Sequence, residues 1–159
     1  MRSNPFLPVT LILVAAATAA HGGDIGYGGW GPRVGIGTDP DQVIVGVHFD
    51  LGEVAEHVVF TPDVELGLGD DHTILAFTAP FAYRWERLTG TEIVPYAGGG
   101  ITAALVDTDR DDTDAELALK ALGGGEWPLE RGRKFFVELQ FVVGDVHDLE
   151  LLAGWRLPK

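Results

Sequence analysis

The sequence predicts an all-β protein, an eight-stranded antiparallel up-and-down β-barrel that is transmembrane and follows a cleaved signal peptide. Three observations carry this expectation. After position 29 the chain falls into eight runs that alternate apolar with polar or small residues, the period-two signature of strands with two unlike faces. The links between runs are short and rich in Gly, Asp and Pro, while no segment keeps the i, i+3, i+4 apolar spacing of a helix. One face of every run is apolar and almost free of charge, and the other mixes charges with Gly and Ala.

The chain opens MRSNPFLPVTLILVAAATAAHG, with Arg2 ahead of an apolar run from Phe6 to Ala17. That is the plan of a secretory signal, with cleavage expected after Ala19 or Ala20. The run is shorter than the roughly 20 residues of a spanning helix. Residues 1–20 are therefore read as signal peptide, 21–29 as a flexible Gly-rich N-terminus and 30–159 as one barrel domain. The chain has no Cys, and its only Ser is Ser3 inside the signal, so disulfide, thiolate and serine-nucleophile chemistry have no residues to use. A net charge of −13 opposes nucleic acid as a partner. After the signal no stretch is long enough for a membrane helix, so contact with a membrane is expected through strands.

The runs follow in order. Pro32, Val34 and Ile36 oppose Arg33, Gly35 and Gly37 in the first, Trp30–Gly37. In the second, Gln42–Leu51, Val43, Val45, Val47 and Phe49 oppose Ile44, Gly46, His48 and Asp50. The third, Val58–Leu68, sets Phe60, Val64 and Leu66 against Thr61, Asp63 and Glu65, and the fourth sets Leu75, Phe77, Phe81, Tyr83 and Trp85 against Thr78, Ala82 and Arg84. In the fifth, Glu92–Val106, the centre PYAGGG is phased with Pro95, Ala97 and Ile101 opposite Tyr96, Gly98, Gly100 and Thr102. The sixth, Ala115–Trp127, opposes Leu117, Leu119, Ala121 and Trp127 to Glu116, Lys120, Gly124 and Glu126. The stretch RKFFVELQFVVGDVHDLELLAGWRL closes the chain as a hairpin. Pro62, Pro80 and Pro95 fall inside runs, where each removes a ladder donor and implies a bulge or break.

A membrane barrel and a lipocalin-like barrel share this alternation with opposite faces outward. The uncharged apolar face suits lipid, and small residues among the charges suit the crowded lumen of an eight-stranded barrel. Trp30 begins the first strand, while Trp85, Trp127 and Trp155 end the fourth, sixth and eighth. All four tryptophans thus gather at one end of the apolar face, as an interfacial girdle does.

With its PYAGGG fifth strand, GGGEWPL sixth and FFVELQF…LLAGWRL close, the chain resembles the small eight-stranded outer-membrane barrels, the class that includes the transmembrane domain of outer-membrane protein A. The resemblance covers the whole chain after the signal. It implies a monomer in outer-membrane lipid, without cofactor or catalytic activity and with a structural or surface-interaction role. Family barrels usually end on an aromatic residue, whereas here Pro158 and Lys159 follow Leu157.

The inward set is Arg33, His48, Asp50, Asp63, Glu65, Arg84, Glu116, Lys120, Glu126, Glu138, Glu150 and Arg156. It reads first as a salt-bridged plug, since isolated buried charges cost several kcal/mol, and second as a narrow ion or proton path. At the end away from the tryptophans every loop is Asp-rich. Asp107, Asp109 and Asp111 repeat the alternation that starts a calcium loop, without its glycine and closing Glu. A solvated acidic rim is the favoured reading, and a Ca²⁺ or Mg²⁺ site the alternative. His72 and His147 lie beside rim aspartates, but hydrolytic barrels are expected to have more strands and longer loops. The other function weighed is a secreted or periplasmic lipocalin-like barrel holding an apolar ligand.

Overall fold

The computed structural model describes residues 25–38, 41–70, 72–108, 112–144 and 148–159. The expected signal peptide lies outside the described residues. Nine strand segments follow one another: β1 (Ile25–Thr38), β2 (Asp41–Ala55), β3 (Val58–Phe60), β4 (Asp63–Leu68), β5 (His72–Arg84), β6 (Val94–Thr108), β7 (Asp112–Pro128), β8 (Lys134–Val143) and β9 (Asp148–Pro158). All pairs are antiparallel, and β1 pairs with both β2 and β9, so the sheet closes on itself. Both β3 and β4 lie between β2 and β5 as two halves of a single strand. The molecule is thus an eight-stranded up-and-down barrel. One 3-10 turn, Glu130–Gly132, is the only helical element among the described residues.

Two of the awkward prolines explain the split strand. The β5 register runs Phe60↔Phe81 and then Asp63↔Thr78, which sets Thr61 across from Pro80 and Pro62 across from Ala79. Two residues without N–H groups thus meet at one place in the seam, and the ladder breaks there rather than at two separate sites. The Phe49 N–H still donates to the Pro62 carbonyl at 2.9 Å, which keeps β2 attached across the gap. Pro80 itself stays in register with Gly100 of β6. At Gly98 and Gly100 the two strands approach so closely that a Cβ would lie 2.6 Å from the Ala82 Cα and 2.6 Å from the Pro80 Cα, respectively. The glycines of PYAGGG are there because β6 is pressed against β5.

β1 begins at Ile25, five residues before the expected Trp30, and Ile25 pairs with Gly52 on an extended β2. Part of the segment read as flexible, residues 25–29, is therefore strand. Its glycines carry no apolar alternation to read, but ladder bonding needs only backbone, and a register shift between Ile25 and Gly29 absorbs the irregularity.

The faces fall as the alternation requires. Val34, Ile36, Val43, Ile101, Leu117, Leu119, Leu139 and Leu151 are exposed on the outside. Arg33, Asp63, Glu65, Lys120, Glu126, Glu138, Glu150 and Arg156 are buried inside. On β7 the apolar face runs ten residue steps from Leu117 to Trp127. At about 3.3 Å per step and a tilt of about 40°, that covers roughly 25 Å, the height of a lipid-facing band. Aromatic residues rim its lower edge: Tyr83 meets Trp85 at 5.3 Å, Trp127 meets Phe135 at 5.9 Å, and Phe135 meets Trp155 at 5.5 Å between ring centroids. Trp30 joins them through its register with Leu157 beside the chain end. A barrel with an apolar interior and a charged exterior would have these faces reversed.

Candidate functional site

Among the described residues buried charge is concentrated in the lumen, and neighbouring strands set its order. Alternation turns Arg33 (β1), Asp63 and Glu65 (β4), Lys120 (β7) and Glu138 (β8) inward. Arg33 Nη2 donates to Glu138 Oε1 at 2.6 Å, with Nη1 3.3 Å from Asp63 Oδ2 and Nε 3.1 Å from Glu65 Oε1. Lys120 Nζ donates to Glu65 Oε2 at 2.8 Å and lies 3.2 Å from Glu150 Oε2. Glu65 therefore links the two cations. Gln140 donates to Glu138 Oε1 at 2.6 Å, a contribution from an uncharged residue that reading the charges alone does not suggest.

A second network sits at the tryptophan end around Glu126. Its carboxylate is 2.7 Å from Lys134 Nζ, 3.3 Å from Arg156 Nε and 3.5 Å from Arg84 Nη2. Asp50 flanks the same arginines at 3.7 and 3.8 Å. Lys134, the first residue of β8, thus joins the lumen network. Between the two networks stands Phe136, with Arg33 5.8 Å and Arg156 5.7 Å from its ring centroid and the His48 ring edge-on at 5.2 Å. Val59, Ala82, Tyr96 and Leu122 pack as an apolar cluster in this lower half. All twelve residues of the inward set lie on the lumenal side of their strands.

At the acidic end the lumen is different. A cavity of ≈ 50 Å³ is lined by Ile74, Ala76, Ala104, Val106, Ala118 and Val142 together with the polar Gln42, Thr102, Glu116, Lys120 and Glu150. Ile74 pairs with Val106 and Ala76 with Ala104 across β5 and β6, so the apolar part of the lining is built by register from inward positions that carry no charge. Looking for charges on the inward face misses it, and reading every inward residue for size would have found it.

No protein-family model matches the chain, and no curated protein matches it in sequence. Solved structures do match in shape. Neisserial surface protein A is 14% identical, with 84% of this chain and 96% of that one covered at a TM-score of 0.66. The fold is that of the small eight-stranded outer-membrane barrels. The outer-membrane enzyme PagL, 15% identical, matches over 79% of this chain and 97% of its own at a TM-score of 0.50. A barrel of similar shape is thus also found in an outer-membrane enzyme.

Of the rim residues singled out for metal, Asp107 is exposed at the end of β6, where it pairs with Thr73 and Thr113. Asp109 and Asp111 lie outside the described residues, as does His147. Among the described residues no group of three or more His, Asp or Glu is arranged to hold a metal ion. His72 closes a turn in which the Gly69 N–H donates to its carbonyl at 3.0 Å.

Proposed function

We propose that the protein is a non-enzymatic barrel of the bacterial outer membrane, with a structural or surface-interaction role and a lumen plugged by ion pairs. The observation that carries this reading is the paired lumen inside an apolar, aromatic-edged exterior. An apolar exterior of this extent is costly in water and favourable in lipid, and it leaves the lumen as the side of the strands on which the charges are placed and paired. The non-enzymatic part rests on the chain's own residues. With no serine after Ser3 and no cysteine, an acyl-transfer nucleophile has to come from less suited side chains. The likeness to Neisserial surface protein A supports the surface role, and outer-membrane lipid is then the main partner of a monomeric barrel.

The acidic end faces the medium in this reading as a solvated collar. Asp107, together with Asp109 and Asp111, is where Ca²⁺ or Mg²⁺ would gather on it. Calorimetry with CaCl₂ on the wild type and an Asp107/Asp109/Asp111→Ala variant tests that point, and heat no greater than dilution in the wild type ends it.

The main reading is tested on fractionated cells by electrophoresis in SDS with and without boiling. A closed membrane barrel stays folded in cold SDS, so a heat-dependent shift in the outer-membrane fraction is expected. A soluble species without a shift refutes the reading.

A further inference from the structure

The acidic end of the barrel is not level. β6 and β7 pair as far as Thr108↔Asp112, and β5 keeps pace with them to His72↔Thr108. β8 stops much sooner. Its last partner on β7 is Leu119, opposite Val143, and it then turns into β9 with Val142 opposite Asp148. The seven residues from Asp112 to Ala118 therefore pair with β6 alone among the described residues, a free edge of roughly 23 Å at about 3.3 Å per residue. A Cβ added to Gly144, just beyond β8, would lie 3.3 Å from the Leu117 carbonyl oxygen, so that carbonyl points to the β8 side. Alternation gives the backbone groups of Ala115 and Thr113 the same direction and turns those of Asp114 and Glu116 toward β6.

From this we infer that the edge of β7 above β8 is a docking strand for an extended segment of another protein, one that alternates apolar with basic residues. The edge sets the backbone of the partner, because a strand with one unpaired side is completed by a second strand. The side chains set its sequence. Asp107 and Asp114 are exposed, and from Asp107 to Asp114 the chain carries five Asp and one Arg, so Lys or Arg on the added strand gains by lying beside Asp114. On the other face of the sheet the added strand runs beside the exposed Ala115 and Leu117, which suit apolar residues. A second copy of this chain is a poor occupant, since two such edges would set aspartates against one another. The inference deepens the surface-interaction role proposed above and rests on that reading, with the acidic end in the medium.

The test uses the folded, ¹⁵N-labelled barrel in lipid nanodiscs, titrated at low ionic strength with an acetylated heptapeptide that alternates Lys with Val. Saturable binding is expected, with slowed amide exchange at Thr113 and Ala115, whose N–H groups face the added strand. Parallel titrations use the peptide with Glu in place of Lys and the peptide with Pro in place of Val, which keeps the charge but loses ladder donors. Neither should bind comparably. Ala115→Pro removes an N–H that the pairing with β6 does not use and should weaken binding by about tenfold. Asp114→Asn should weaken it about threefold. Equal binding of the Pro peptide would mean that charge alone attracts it, and equal binding of the Glu peptide that charge plays no part. Either result overturns the assignment, as does unslowed exchange at Thr113 and Ala115 or unaltered binding in Ala115→Pro. The heat-dependent SDS shift tests the barrel reading on its own, so a barrel that shows the shift and ignores the Lys–Val peptide refutes this assignment alone.

Discussion

Removing Arg33 is the most direct test of whether ion pairing holds the lumen together. Its guanidinium is buried, with three carboxylates within 3.3 Å. In Arg33→Met two of these keep another partner: Lys120 holds Glu65 at 2.8 Å and Gln140 holds Glu138 at 2.6 Å. Asp63 loses the only cation within ion-pair distance of it among the described residues. The expected loss is therefore that of one broken buried pair, about 3–5 kcal/mol, not three times that amount. The triple variant Arg33→Met/Asp63→Asn/Glu138→Gln removes the stranded charges along with the cation. It should recover most of the loss, because buried neutral amides carry a much smaller desolvation penalty than stranded charges. Urea unfolding from lipid vesicles reads both, since the girdle tryptophans report release from lipid by a red shift in emission. A single-variant loss below about 1 kcal/mol, the range of exposed pairs, would refute the reasoning. So would a triple variant no more stable than the single.

Three further outcomes are expected. Leu139 is 51% exposed on the outer face of β8, in register with Gly123 near the middle of the apolar band; Leu139→Arg should cost about 2–4 kcal/mol at the bilayer midplane, as measured by the same unfolding assay. A change within about 0.5 kcal/mol, as on a water-facing surface, would place that face in solvent. Gly98→Val should lower the yield of SDS-resistant barrel sharply, because its Cβ has no room beside Ala82, whereas Gly26→Ser, with open space near the start of β1, should leave it unchanged; normal yield from Gly98→Val would contradict the close approach of β5 and β6. Lys120→Met should destabilise less than Arg33→Met in the urea assay, since Glu65 keeps Arg33 at 3.1 Å and Glu150, which borders the outer cavity, is less deeply buried than Asp63; the reverse order would show that Lys120, not Arg33, is the centre of the network.

Much of this fold was legible because a barrel repeats one rule along every strand. Once Val34 and Ile36 face lipid, Arg33 must face the lumen, and the same parity places Glu65, Lys120 and Glu138. What parity does not supply is how the strands are staggered. It puts Lys134 inside without saying that it reaches Glu126, and it cannot tell that Glu65 bridges two cations on β1 and β7. Those facts depend on register, which glycine-rich strands specify weakly. The same weakness hid the first five residues of β1. The prolines were legible as trouble, but not as a single shared break, since that requires knowing that Pro62 and Pro80 meet.

Side-chain size, more than charge, divides the lumen into a closed half and an open one. Below the level of Lys120 the inward positions carry Phe136, Tyr96, Leu122 and Arg156, and the space left among Arg33, His48, Asp63 and Phe136 is only ≈ 10 Å³, about one water. Above it Ala76, Ala104 and Ala118 stand among the inward positions of β5, β6 and β7, and a cavity of ≈ 50 Å³ reaches down to the Lys120–Glu150 pair. An ion crossing the barrel would have to pass Phe136 between two arginines that are themselves tied to carboxylates. Moving either arginine would separate buried pairs, which costs several kcal/mol. The arrangement is therefore a blind pocket above a plug.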